Sequence, residues 1–131
     1  MRPAICALLA CLILAAMPWA RATTASPARG EWHKLGAYRV TGYCPCVRCC
    51  GKRDGITEDG TYAPACPERI VAAPRGFPFG TRLWIEGVGP VTVHDRGGAI
   101  RGRRMDLFFA TDDEAVHWGA RKLSVFLWTG P

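Results

Sequence analysis

Two aspartates that flank a glycine-rich loop are the residues in this chain most able to do chemistry. Asp95 follows a run of β-forming residues, Asp106 lies in the next such run, and Gly97, Gly98 and Gly102 lie between them. Glycine lets a backbone approach another molecule closely and adopt positive φ angles. A hydrolase that activates water commonly uses two carboxyl groups, one as acid and one as base or nucleophile. Residue types alone favour a plainer interpretation, a turn-initiating aspartate and an exposed strand carboxylate.

Short strands separated by glycine and proline must position these aspartates. Alternation and β-forming residues predict six strands, at 38–43, 69–73, 81–86, 91–94, 104–109 and 122–128. Strict period two in the third strand places Leu83 and Ile85 on one face and Trp84 on the other. The turn at 87–90 predicts that the third and fourth strands form a hairpin.

One short helix is predicted, from about Asp112 to Trp118. Thr111 and Glu114 form a T-x-x-E capping box, and acidic residues follow where a helix N-terminus favours negative charge. Gly119 is expected to end the helix. Six short strands and one small helix predict an all-β fold, a compact β-barrel rather than a layered α/β protein.

The first 22 residues have the pattern of a secretory signal peptide. Arg2 supplies positive charge, residues 4–17 are apolar, and residues 20–22 match the small-x-small cleavage pattern. The apolar run, at about 14 residues, is shorter than the ~20 that span a bilayer. Residues 8–11 resemble a lipid-attachment box, which we place below ordinary cleavage. We expect an exported protein, in the periplasm, at the outer membrane or cell wall, or secreted, either free or lipid-anchored.

The remainder of the chain is sized for one domain. We expect residues 23–34 to form a flexible lead-in and residues 35–131 to form the domain. Loss of Arg2 and Arg21 with the signal lowers the formal net charge from +6 to +4. This mild charge suits a polyanionic matrix but mainly maintains solubility. No basic stripe with interleaved aromatic residues is visible, so we expect no nucleic acid partner. We also expect no nucleotide partner and a monomeric protein.

A cluster of cysteines is the second candidate for chemistry. Four fall within the seven residues Cys44-Pro-Cys-Val-Arg-Cys-Cys50, and one more is Cys66. Export to an oxidising compartment favours disulfides, although an odd number leaves at least one thiol free, intermolecular or metal-bound. A cluster this dense can also hold zinc. We favour disulfides over a metal site and predict them among Cys44, Cys46, Cys49, Cys50 and Cys66, with the pairing unknown. We expect no bound metal and no cofactor.

The most specific motif is Asp95-Arg-Gly-Gly-Ala-Ile-Arg-Gly-Arg-Arg-Met-Asp106. Four shorter motifs accompany it: T-x-Y at 41–43, G-x-T-x-x-G at 55–60, P-x-G-T at 78–81 and W-G at 118–119. Together they resemble the three-aspartate (3D) domain family, which is related to the catalytic domain of the membrane-bound lytic transglycosylase A family. The resemblance covers about residues 40–127.

The resemblance implies a six-stranded double-psi β-barrel that cleaves the glycan strands of peptidoglycan. Asp106 would act as the catalytic acid on the glycosidic oxygen and then accept the proton of the sugar's own C6 hydroxyl, giving a 1,6-anhydro product. Asp95 would stabilise the developing charge or orient the loop. Candidate substrate-binding residues are Tyr43, Thr57, Trp84, Gly97, Gly98 and Arg101.

One position departs from the family pattern. Ala73 stands where the family's first aspartate is expected, so two of three carboxylates remain. The acid role also requires a raised pKa at Asp106, which Asp95 would favour and Arg104 would oppose. Two other interpretations stay open: a non-catalytic wall-binding module of the expansin-like type, and a small metal protein built on the cysteines.

Overall fold

The computed structural model describes residues 30–131, and its six strands close into a barrel. The signal-peptide prediction for residues 1–22 lies outside the described residues, as does the lead-in over 23–29. The predicted all-β fold of six strands is confirmed. The strands are β1 (Glu31–Tyr43), β2 (Ile70–Ala72), β3 (Arg82–Ile85), β4 (Gly89–Asp95), β5 (Arg104–Phe108) and β6 (Arg121–Thr129).

The barrel has the neighbour order β1-β5-β2-β4-β3-β6. β3 and β4 form the predicted antiparallel hairpin. β1 pairs in parallel with β5, and β2 in parallel with β4, so distant parts of the chain become neighbours. Each strand contributes side chains to one apolar interior, in which Val40, Val71, Val93, Leu107 and Val125 are fully buried.

Two helical segments accompany the barrel. The predicted helix is present as α2 (Asp112–Trp118), and both capping-box bonds form between Thr111 and Glu114. A single turn not predicted from sequence, α1 (Val47–Cys50), ends at Gly51 with φ of 69°. A short 3₁₀ turn covers Ala63–Ala65.

The predicted flexible lead-in over residues 23–34 extends into the first strand. β1 begins at Glu31, and residues 31–34 pair with residues 126–129 of β6. The partner strand lies at the other end of the chain, so a local reading of residues 31–34 does not show their pairing. The register shifts between Lys34 and Gly36, where φ at Gly36 is 106° and suits glycine.

No helix within residues 30–131 is both long enough and apolar enough to cross a membrane.

Candidate active site

A row of four residues crosses four adjacent strands and contains both aspartates. Thr41 on β1 is in register with Asp106 on β5, Asp106 with Ala72 on β2, and Ala72 with Asp95 on β4. Residues directly opposite each other in a sheet project to the same face. The Cα atoms of Asp106 and Asp95 are two strand spacings apart, about 10 Å. The small side chain of Ala72 leaves the space between their carboxyl groups open.

A β-bulge brings Asp95 into this row. Val71 pairs with Val93, but Ala72 pairs with Asp95, so β4 has one extra residue at this point. Val93 faces the barrel core. Strict alternation would turn Asp95 toward the core as well, because side chains two residues apart share a face. The bulge moves Asp95 to the outer face, beside Ala72 and Asp106.

Asp95 is fixed by three hydrogen bonds. Tyr43 donates its hydroxyl to Oδ2 at 2.7 Å. The backbone N–H groups of Glu58 and Arg96 donate to Oδ1 at 3.0 and 2.9 Å. All three are donors, and together they hold the carboxyl group of Asp95 in one orientation.

The 55–61 loop that supplies one of those donors is itself held by a polar network. Thr57 is buried and donates to Asp59 at 2.7 Å, and His94 Nδ1 lies 2.6 Å from the other oxygen of Asp59. Although burial opposes it, hydrogen bonds from Thr57, His94 and Thr61 lower the pKa of Asp59 to about 2. The network thereby fixes Glu58 against Asp95.

Asp106 is the carboxyl group with the more acid-like environment. Burial, reinforced by the charge of Asp95, raises the pKa of Asp106 from 3.8 to about 6, against a hydrogen bond from Thr41 that favours ionisation. Thr41 Oγ1 donates to Asp106 Oδ1 at 2.9 Å. Arg104, which the sequence suggested would lower this pKa, is exposed and is not among the groups that shift it.

Both carboxyl groups line one cleft of about 310 Å³. A second groove of about 490 Å³ adjoins it, because Glu58, Arg96, Gly97 and Gly98 border both. The predicted residue Arg101 lies in the second groove. The cleft and the groove together form one open depression, and both aspartates lie in the cleft.

The sequence of this region matches a known family model. Residues 69–129, from the start of β2 to the end of β6, match the model described as the 3D domain. Residues 69–129 thus carry the sequence of a 3D domain. The match contains both Asp95 and Asp106.

Two curated proteins of Bacillus subtilis are similar in sequence to this chain. The cell wall-binding protein YocH is 35% identical over 77 residues, which cover 57% of this chain and 27% of YocH. YabE is 31% identical over 78 residues, which cover 58% of this chain and 19% of YabE. The chain therefore spans about a quarter or less of the curated relatives that it matches.

Solved structures of E. coli MltA also align with part of this chain. A crystal structure of MltA aligns with a TM-score of 0.47 and 22% identity, covering 58% of this chain and 28% of MltA. A variant of the lytic transglycosylase MltA in an apo form aligns with a TM-score of 0.48 and 20% identity, covering 58% and 27%.

The 3D domain brings some of the predicted substrate-binding residues together and separates others. Gly97 and Gly98 line the cleft, and Tyr43 lines it while holding Asp95. Tyr43 is buried with its ring edge-on to Phe108, so it positions the carboxylate and does not offer an open stacking face. Thr57 stabilises the 55–61 loop and does not line the cleft.

Trp84 is the candidate that the 3D domain places elsewhere. It is exposed on β3 and packs edge-on against Trp32, with ring centroids 5.9 Å apart. It is absent from the cleft lining. The alternation of β3 correctly turns Trp84 outward, but which part of the outer surface it reaches depends on the strand order.

Ala73, which replaces the family's first aspartate, contacts the site through its backbone only. Ala73 is fully buried in the core, its N–H donates to the carbonyl of Asp95 at 3.3 Å, and its carbonyl accepts from Arg96 Nη1 at 3.2 Å. Arg96 also donates to the carbonyl of Phe77 and stacks over Phe79. Its guanidinium thus bonds the 74–80 loop and the backbone carbonyl of Asp95, at 3.1 Å, and forms no salt bridge with the carboxyl group of Asp95 or Asp106.

The structure of residues 30–131 contains none of the predicted disulfides, since Cys44, Cys46, Cys49, Cys50 and Cys66 all carry free thiols. The sulfurs of Cys44 and Cys49 are 3.6 Å apart, well beyond the ~2.05 Å of a disulfide bond. Cys50 lines the cleft. Burial, followed by the charge of Asp95, raises the pKa of Cys50 to about 11, so it is a protonated thiol at neutral pH and a poor nucleophile.

Several residues of the site are not predicted from the sequence. Thr41 and Glu58 lie inside the T-x-Y and G-x-T-x-x-G motifs, which therefore carried a signal for them. Ala72 has no signal in sequence, because its role depends on lying between two strands from other parts of the chain. Lys52 and Ile56, which also line the cleft, come from the loop between α1 and the 3₁₀ turn.

Proposed function

We propose that this 3D domain cleaves the glycan strands of peptidoglycan by lytic transglycosylase chemistry. One observation carries the proposal. Asp106, whose pKa is raised to about 6, lines the same cleft as Asp95, and three hydrogen-bond donors fix the carboxyl group of Asp95. A general acid is most effective when its pKa lies near the working pH, and unequal environments divide roles between two carboxyl groups.

In the proposed reaction, protonated Asp106 donates its proton to the glycosidic oxygen between N-acetylmuramic acid and N-acetylglucosamine. The bond from the muramic C1 to that oxygen breaks, the N-acetylglucosamine end leaves as an alcohol, and positive charge develops on the muramic ring. The Asp106 carboxylate then takes the proton of the muramic C6 hydroxyl while that oxygen bonds to C1. The 1,6-anhydro product forms and Asp106 is protonated again.

The remaining groups of the cleft suit the charge and shape of this reaction. Asp95, negative and fixed, stabilises the positive ring, and because it is preorganised it needs no rearrangement. The C6 hydroxyl is tethered to the reacting ring, so it replaces water with an entropic advantage. Gly97 keeps the loop thin, since a Cβ there would approach Ile100 Cγ1 to 2.8 Å.

The wider context of the proposal is an exported, wall-associated protein. The relative YocH is named as a cell wall-binding protein, and the predicted signal peptide over residues 1–22 agrees with that location. We further propose that the closed six-stranded barrel is of the double-psi type and acts as a monomer on peptidoglycan, without nucleic acid or nucleotide.

The test is product analysis on purified sacculi. The wild type should release muropeptides with 1,6-anhydro ends. Their mass is lower than that of hydrolysed muropeptides by the mass of one water molecule. Asp106→Asn, which preserves shape and removes the acid, should release them at a rate lower by at least about a hundredfold. The matched control is Asp113→Asn, the same charge change on exposed helix α2. Anhydro products formed at the parental rate by Asp106→Asn would refute the assignment.

A second candidate is a non-catalytic wall-binding module. It is favoured by Ala73 in place of the family's first aspartate and by the name of YocH. The same assay separates the two functions. Sedimentation of the protein with sacculi without release of any product, by wild type as by Asp106→Asn, would support binding alone.

A further inference from the structure

The cysteine cluster and the start of α2 form a second group of reactive side chains, separate from the two aspartates. The sulfurs of Cys44, Cys46 and Cys49 and a carboxylate oxygen of Asp112 all lie within 4.8 Å of one another. The measured separations are 3.6 Å from Cys44 to Cys49, 3.7 Å from Cys44 to Asp112 and 4.0 Å from Cys46 to Asp112.

Three of the six separations are close to those of a tetrahedral metal site, and the other three are at most 4.8 Å. Zinc binds cysteine sulfur at about 2.3 Å and carboxylate oxygen at about 2.0–2.2 Å. Ligand atoms at the corners of such a tetrahedron lie about 3.6–3.8 Å apart, as follows from those bond lengths. The three measured separations are within a few tenths of an ångström of that range. Small rotations of the side chains would bring the four atoms around one ion.

The local fold is also that of a metal-binding turn. The backbone N–H of Cys46 donates to the carbonyl of Cys44 at 2.8 Å, and that of Cys49 to the carbonyl of Cys46 at 3.2 Å. These bonds curl the C-x-C-x-x-C segment so that its three sulfurs converge. α1 is only four residues long and has no buried side chain, so packing does not explain why it forms. A bound ion would.

Asp112 comes from a distant part of the chain and faces this turn. Its Oδ1 lies toward the sulfurs, while its Oδ2 lies 3.6 Å from Arg48 Nη1. A charged partner on the second oxygen orients a ligating carboxylate and offsets the negative charge of three thiolates and a carboxylate.

We propose that Cys44, Cys46, Cys49 and Asp112 bind one structural zinc ion, which fastens the 44–51 turn to helix α2. Four protein ligands complete the coordination of zinc, so the site is closed and structural. Each thiol loses its proton to solvent as the metal binds. The site replaces both the predicted disulfides and the expectation of no metal. It also braces the cleft, because Cys49 and Cys50 form part of its wall.

The experiment is metal analysis of the exported protein, purified without chelator, with no glycan assay involved. Elemental analysis should give one zinc per chain, and intact mass should show all thiols unoxidised. Cobalt(II) added to the chelator-stripped protein should give sulfur-to-metal charge-transfer absorption and the intense visible bands of a tetrahedral ion. EDTA should lower the melting temperature of the wild type.

Matched variants distinguish ligands from neighbours. Asp112→Asn should weaken zinc binding at least about tenfold, whereas Asp113→Asn, the same change one residue along α2, should leave it unchanged. Cys46→Ser should lose the metal and Cys66→Ser should keep it. Asp112→Asn removes no sulfur, so it remains informative if Cys46→Ser fails to fold.

Three results would overturn the proposal. The first is a protein with its thiols reduced that neither contains zinc nor binds cobalt with tetrahedral bands. The second is an exported protein whose mass is lower by two hydrogens for a disulfide involving these cysteines. The third is equal loss of zinc from Asp112→Asn and Asp113→Asn. None of these results depends on glycan cleavage, so failure here leaves the proposed function separately testable.

Discussion

Replacing the proposed acid should stabilise the protein at neutral and alkaline pH. Burial raises the pKa of Asp106 from 3.8 to about 6, so the folded protein binds this proton more tightly than the unfolded chain. Below about pH 4 the carboxyl is protonated in the folded state and its contribution to the free energy of unfolding is retained. As pH rises through about 6 that contribution is lost. Asp106→Asn has no charge to bury and escapes the loss.

The magnitude follows from the two pKa values. The difference between 3.8 and about 6 corresponds to about 3 kcal/mol. The cleft admits solvent, which screens the charge, so we expect about 1–3 kcal/mol. The free energy of unfolding of Asp106→Asn, relative to wild type, should rise by this amount between about pH 4 and pH 8. The asparagine oxygen can still accept the Thr41 hydrogen bond.

Urea unfolding, monitored by tryptophan fluorescence, measures this difference. The comparison requires that the free energy of unfolding depend equally on urea concentration in both proteins. Asp113→Asn, the same substitution at a carboxyl group that is exposed on α2, is the control. A difference between Asp106→Asn and wild type that stays constant from pH 4 to pH 8 would refute the reasoning. So would a variant that is less stable than wild type at pH 8.

Three further changes test the row of residues around the acid. Thr41→Val removes the hydrogen bond that favours ionised Asp106, so its pKa should rise above about 6 and the decline of activity should move to higher pH; an unchanged pH profile would contradict this. Ala72→Leu fills the space between the carboxyl groups and should lower anhydro-product release about a hundredfold while the circular dichroism spectrum is preserved. Tyr43→Phe leaves Asp95 with two donors and should lower the free energy of unfolding at pH 7 by about 1–3 kcal/mol, measured in urea.

Local patterns in the sequence were sufficient for most elements of the fold. The capping box of Thr111 and Glu114 placed α2 at its observed bounds, and the alternation of β3 gave the correct inward face. In both cases neighbouring residues determine the outcome. β1 was started too late because the pairing of residues 31–34 depends on β6, almost a hundred residues away.

The site was only partly predictable for a related reason. The spacing from Asp95 to Asp106 marked the two carboxyl groups, but their convergence depends on the bulge that pairs Asp95 with Ala72. Nothing in the sequence around residue 95 specifies that bulge. Arg104 was expected to control the pKa of Asp106 because it is near in sequence, whereas burial among strands from elsewhere controls it.

The cysteine cluster shows the same limit. The spacing from Cys44 to Cys50 left disulfide and zinc open, and the balance was set by the expected compartment. The residue that changes the balance is Asp112, which lies more than sixty positions from the cysteines and was assigned only to the helix N-terminus. The fourth proposed ligand comes from another element, and only the fold brings it to the sulfurs.

The most direct test of the central claim compares two curves recorded on the same protein. One is the ionisation of the Asp106 carboxyl, followed by carbon NMR and assigned with Asp106→Asn. The other is the rate of anhydro-muropeptide release from sacculi as a function of pH. We predict that the rate falls as Asp106 ionises, with both midpoints at about 6. A rate that persists after Asp106 has lost its proton would contradict the account.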